Sequence, residues 1–285
     1  MELTVIITAL LAAAAGLVVL AAFAWRWAAA HRRDLLAAGM HVADRLHMQW
    51  LPGTCQTPAW IFSTSVVLGL IVIASAAAGA GILVEDVTAG DGIAVLDHPV
   101  ASFVAAHRSG ALSTVMREAS SAGSPVVLAA VTAAAGVLLG IIGRGWAPVL
   151  VAGVTIAGTG GLTIVLKEVL SRSRPPLTEA LAATDGYAFP SAHAATAAAA
   201  FGILAYLCAA RLRSWAPQVA VWAGAATLTA LVGISRVYLG VHWTTDVIGG
   251  WTFGVLWLAV VVTGWTVFTR DRSDQPGTTP GSAGA

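Results

Sequence analysis

His242 and Asp246 lie four residues apart, with Ser235 and Arg236 just upstream. On a helix that spacing puts ring and carboxylate on one face, within reach of each other. A carboxylate on one ring nitrogen fixes the tautomer and leaves the other nitrogen free to attack. Arg236 adds a planar, permanently charged fork suited to phosphate oxygens. A chance cluster at a helix end would show the same residues, so the stretch needs company before it means chemistry. Two other polar clusters supply it. Lys167 and Arg174 are seven residues apart, about two helical turns, so they could line one face. Pro175 and Pro176 then stop the helix. Two charges snorkelling from the end of a span are the plainer reading of that pair. Pro190-Ser191-Ala192-His193 reads as a helix start, whose free N–H groups suit an anion, with a hydroxyl and a titratable ring beside them. Its plainer reading is an ordinary helix start with an interfacial histidine.

The elements that carry these clusters are apolar. The chain has 285 residues, 58% hydrophobic and 10% charged, with a mean hydropathy of +0.82. Soluble domains carry about a quarter charged residues, so the composition is that of a membrane protein. A net charge of +1 gives no basic field for nucleic acid, and no nucleic-acid motif is present. Cys55 and Cys208 have no metal or redox spacing.

Apolar stretches long enough to span a bilayer, or nearly so, run over 4–25, 60–84, 124–142, 146–166, 190–208, 219–233 and 247–268. The first lacks a basic start and a convincing cleavage site and reads as an uncleaved span. In the basic segment that follows, His41, Asp44 and His47 recur every three residues, the pattern of a solvated amphipathic face more than of a metal site. Glu85, Asp86, Asp91 and Asp97 suggest an acidic loop, and Pro99 a short surface helix over 100–106. Gly153, Gly158, Gly160 and Gly161 inside an apolar span suggest a small-residue face for close helix packing. The Gly/Pro/Ser/Thr-rich tail, 269–285, reads as disordered. With the amino terminus outside and seven crossings, Arg26, Arg32, Arg33, Arg45, Arg144, Arg211, Arg213, Arg270 and Arg272 fall inside, as basic residues prefer. The clusters around Lys167, His193 and His242 then share the outer face.

In order, the three clusters read Lys-x6-Arg-Pro, Pro-Ser-x-His and Ser-Arg-x5-His-x3-Asp. This resembles the type 2 phosphatidic acid phosphatase superfamily, on Lys167, Arg174 and Pro175; Pro190, Ser191 and His193; and Ser235, Arg236, His242 and Asp246. The resemblance covers about residues 60–268 and implies an all-α polytopic bundle. It divides the chain into an amino-terminal span with a basic segment (1–59), a six-span phosphatase domain (60–268) and a tail (269–285). The family usually has glycine where this chain has Ala192; a backbone N–H survives that change.

The resemblance implies an integral plasma-membrane lipid phosphatase with no cofactor or metal and its site outside. Lys167, Arg174, Arg236, Ser191 and the Ala192 backbone would hold the phosphoryl group. His242, oriented by Asp246, would attack phosphorus, and His193 would protonate the leaving oxygen. Polyprenyl diphosphate, such as undecaprenyl diphosphate, is the first expected substrate, then phosphatidate and phosphatidylglycerol phosphate. Arg172 reads as a plain surface charge or a contact for a second phosphate. A phosphotransferase and a non-catalytic lipid-binding protein are the alternatives.

Overall fold

The computed structural model describes residues 59–176, 180–182 and 184–273. The expected first span, the basic segment with His41, Asp44 and His47, Cys55 and the tail beyond 273 lie outside the described residues. Helices carry the fold, and no strand occurs among the described residues. The chain runs through α1 (Ala59–Ala89), a 3-10 turn (Gly92–Leu96), α2 (Asp97–Ala106), α3 (Gly110–Ala122) and α4 (Pro125–Gly143). It continues through α5 (Ala147–Leu170), α6 (Ala192–Ala209), α7 (Trp215–Tyr238) and α8 (Thr244–Ser273). Six of these, α1 and α4 to α8, are long and apolar enough to cross a bilayer. The protein is an all-α integral membrane protein.

Several boundaries differ from the sequence reading. Glu85 and Asp86 are not in a loop but in the last turns of α1, and Asp97 opens α2. Span α7 extends past Gly233, so Ser235 and Arg236 are helical. α3, unassigned from sequence, is an amphipathic helix too short and polar to span. Ser109 and Ser124 cap α3 and α4 through their side chains, each satisfying one of the free N–H groups of a helix start. Arg144 adopts a left-handed conformation (φ 52°) in the tight α4–α5 connection, which folds those two spans into an adjacent pair.

α6 is the hub of the bundle. Its alanines at 194, 195, 197, 198, 199 and 200 are all buried, and it packs on α4, α5, α7 and α8. Small side chains let neighbouring backbones approach closely, which is how spans associate where lipid offers no hydrophobic drive. The closest approach is made by α8. A Cβ at Gly250 would sit 2.6 Å from the Ser191 carbonyl oxygen, and one at Gly254 2.5 Å from that of Ala195. Among the described residues the expected glycine face on α5 packs at one position: a Cβ at Gly158 would meet Trp257, and one at Gly153, Gly160 or Gly161 would meet no described atom within 4 Å. The α6–α8 contact matters for the site because it joins the amino-terminal ends of both helices. There Ser191 N–H donates to the Asp246 carbonyl at 2.9 Å.

Candidate active site

The spans alternate in direction, so the carboxyl ends of α5 and α7 and the amino ends of α6 and α8 meet at one end of the bundle. Those ends carry Lys167, Arg236, His193 and Asp246. Arg144, Arg211 and Arg213 belong to connections at the other end.

His242 and Asp246 do meet, but not as helix-face neighbours. His242 sits in the turn before α8, and Asp246 in that helix's first turn. The aspartate folds back over the helix start: Oδ2 accepts from Trp243 N–H at 2.8 Å and lies 3.3 Å from His242 Nδ1. Asp246 is therefore a cap and a histidine partner at once. It is 0% exposed and His242 3%. On the other side of the ring, Arg174 Nη1 lies 3.3 Å from His242 Nε2. A guanidinium can only donate, so Nε2 accepts and the proton resides on Nδ1, facing the carboxylate. That is the tautomer whose Nε2 lone pair can attack.

Burial pushes the His242 ring down from its ordinary 6.5 to about 4; Asp246 opposes the shift, and Arg174 and Arg236 reinforce it. The ring is thus neutral at pH 7. Below 6.5 the unfolded chain binds a proton that the folded one refuses, so stability falls as pH drops through that window and levels off below about 4. We expect the His242 resonance of ¹³C-labelled protein to titrate near 4. A midpoint at 6.5 would show a solvated ring and contradict this geometry.

Lys167 and Arg174 do not line one helix face. α5 ends at Leu170, Ser171 turns left-handed (φ 44°), and Arg174 lies in the extended segment beyond. Both nevertheless converge on one oxygen, the Tyr187 carbonyl, which accepts from Lys167 Nζ and from Arg174 Nη2. Arg174 also donates to the carbonyls of Gly186 (2.8 Å), Asp185 (3.1 Å) and Val241 (2.7 Å). It ties the 172–174 segment, the 185–187 loop and the His242 turn together.

Arg236 is 4% exposed and donates Nη1 to Ser120 Oγ of α3 at 2.5 Å, while its buried Nε has no partner among the described residues. A buried, half-satisfied guanidinium is costly unless an anion completes it. His193 stands on the first turn of α6, within electrostatic range of Arg236, His242, Arg174 and Lys167. Ser191 is fully buried and caps α6, its Oγ 3.5 Å from Ala194 N. Ala192 is the first residue of α6 and not among the positive-φ residues, so the methyl is tolerated there without strain.

Arg172 departs from both sequence readings. It is only 16% exposed and forms ion pairs with Asp246 Oδ1 at 2.6 Å and Asp97 Oδ2 at 2.7 Å. It is neither a surface charge nor free for a second phosphate. Asp97, Thr245, Ser120 and the Tyr187 carbonyl were not legible as site residues. Asp97 had one weak signal, an Asp two residues before a proline, which marks a helix start.

The family model of the PAP2 superfamily matches residues 148–270 of this chain. That span holds every site residue expected from sequence and excludes Asp97 and Ser120. Phosphatidylglycerophosphatase B of Bacillus subtilis (strain 168) is 40% identical over 95 residues, 33% of this chain and 46% of that relative. The match thus spans less than half the length of the curated relative. The crystal structure of a transmembrane PAP2-type phosphatidylglycerolphosphate phosphatase from Bacillus subtilis superposes with a TM-score of 0.60 at 27% identity, covering 72% of this chain and 98% of that one.

Proposed function

We propose that this protein is a membrane lipid phosphatase that works through a phosphohistidine on His242. The observation that carries the reading is the His242 ring held between Asp246 at Nδ1 and Arg174 at Nε2, beside two further cations at one end of six membrane spans. The phosphatidylglycerophosphatase activity for which both similar proteins are named supports it.

His242 Nε2 attacks phosphorus, and the bond from phosphorus to the lipid oxygen breaks. His193 gives that oxygen a proton, then takes one from the water that attacks the phosphohistidine, releasing phosphate. Phosphoryl oxygens compete with the Tyr187 carbonyl for Lys167 and Arg174 and complete the open Nε of Arg236. Ser191 and the Ala192 backbone N–H close the amino-terminal end of α6 around them. Three cations supply the charge stabilisation that phosphoryl transfer needs. Turnover should therefore persist in excess EDTA and be inhibited by vanadate. Loss in EDTA with recovery on adding Mg²⁺ would overturn the metal-free reading. The basic residues at the far end of the bundle favour an extracytoplasmic site in the plasma membrane.

The commitment of Arg172 to two carboxylates removes the residue that favoured a diphosphate. Phosphatidylglycerol phosphate, a monoester and the substrate named for both relatives, now stands first, followed by phosphatidate and then undecaprenyl diphosphate. Tail burial contributes about 0.8 kcal/mol per CH₂, so all three should exceed a soluble ester. Phosphate release by purified protein in detergent, compared across these lipids and p-nitrophenyl phosphate, tests this. Equal efficiency on p-nitrophenyl phosphate would overturn the lipid assignment. Binding without release would favour a non-catalytic lipid-binding protein, and transfer to an added alcohol in place of water a phosphotransferase.

A further inference from the structure

Behind His242 lies a chain of charges that phosphoryl transfer does not itself require. Asp97, the first residue of α2, is 2% exposed. Its Oδ1 accepts from Thr245 N–H at 3.0 Å; its Oδ2 accepts from Thr245 Oγ1 at 2.5 Å and from Arg172 Nη2 at 2.7 Å. Arg172 Nη1 in turn donates to Thr245 Oγ1 at 2.7 Å and to Asp246 Oδ1 at 2.6 Å. One guanidinium thus bridges two buried carboxylates, and the residue next to Asp246 is held by both ends of the bridge. The second oxygen of Asp246 is the one that meets His242 Nδ1. Without the Arg172 fork, two buried carboxylates would face each other uncompensated. Asp246 would then keep the Trp243 N–H bond at Oδ2 but lose the anchor at Oδ1 that fixes the rotation of its carboxylate.

We propose that Asp97 and Arg172 are positioning residues: Asp97 holds the Arg172 fork, and the fork pins Asp246 so that Oδ2 stays on the His242 Nδ1 proton. The proposal rests on the phosphatase reading given above. Asp97 lies outside the residues that match the family model and Arg172 within them, so only the anchor of the fork comes from a part of the chain that the family match does not reach. Both residues act through Asp246 and neither touches the phosphoryl group. Their effects must therefore vanish once Asp246 can no longer orient the ring.

The test uses full-length protein in detergent, with kcat and KM for phosphatidylglycerol phosphate and inhibition by inorganic phosphate. Outer partners of an oriented histidine are worth about 10–100-fold, so Arg172→Met should lower kcat by about that much. KM and phosphate inhibition should hardly move, and Arg172→Lys should recover part of the loss. In an Asp246→Asn background, Arg172→Met and Asp97→Asn should lower kcat no further. Losses that multiply in that background would overturn the proposal, as would phosphate inhibition weakened tenfold or more. Should Arg172→Met fail to fold, Arg172→Lys and Asp97→Asn carry the same comparison. A wild-type protein that releases no phosphate would instead sink the phosphatase reading. The His242 ¹⁵N tautomer, read in wild type and Arg172→Lys, then tests the pin without turnover. A dominant Nδ1–H form in wild type that weakens in the variant is expected, and an unchanged tautomer overturns the proposal.

Discussion

His242→Ala should lower kcat by at least about 10⁴-fold, the scale set by removing the nucleophile of a catalytic unit. Among the described residues of the site, the other candidates are poorly suited to take its place. His193 lies nearby but belongs to α6, and no carboxylate among the described residues pairs with its ring. Lys167 and Arg174 are cations with no lone pair to offer at pH 7. The variant should still fold, because Asp246 keeps its bonds to Trp243 N–H and Arg172. Phosphate release by this variant within tenfold of wild type would remove His242 from the nucleophile's role.

Asp246→Asn should lower kcat by about 10³–10⁴-fold, as the wrong tautomer does in other oriented histidines. The reason lies in its partners. Trp243 N–H, Arg172 Nη1 and His242 Nδ1–H all donate to it. An amide offers one accepting and one donating end, so either orientation sets donor against donor. With the amide toward His242, Nδ1 becomes the acceptor and the proton moves to Nε2, where it blocks attack. With the amide toward Arg172, a half-buried guanidinium loses one of its two carboxylates. The substitution preserves shape, so kcat should fall much further than affinity for inorganic phosphate. Equal loss of both would mean that Asp246 shapes the phosphate pocket instead of orienting the ring.

The six spans among the described residues were legible because apolar length is a strong signal that needs no partner to interpret. Their ends were not, since polar residues such as Glu85 and Arg236 stay helical where the bundle or the water boundary accommodates them. The His242–Asp246 pairing was anticipated for a different reason from the one found: four residues suit a helix face, but here a helix cap brings the groups together. Lys167 and Arg174 converge because a left-handed residue at Ser171 ends the helix between them, which no helical period encodes. Arg172 was misread because a lone charge in sequence carries no sign of its partner, and Asp97 lies on a helix whose place against α8 is set only by tertiary packing. The glycine run on α5 followed composition, whereas the close contact came from Gly250 and Gly254, an ordinary GxxxG spacing on α8.

The proposed covalent intermediate is the point on which the mechanism turns, and rapid quenching tests it directly. Protein mixed with ³²P-labelled phosphatidylglycerol phosphate and quenched in alkali within one turnover should carry acid-labile, base-stable label. After digestion, the label should map to the peptide holding His242 and be absent from His242→Ala. Full phosphate release with no trapped label, or label on His193, would contradict the phosphohistidine at His242.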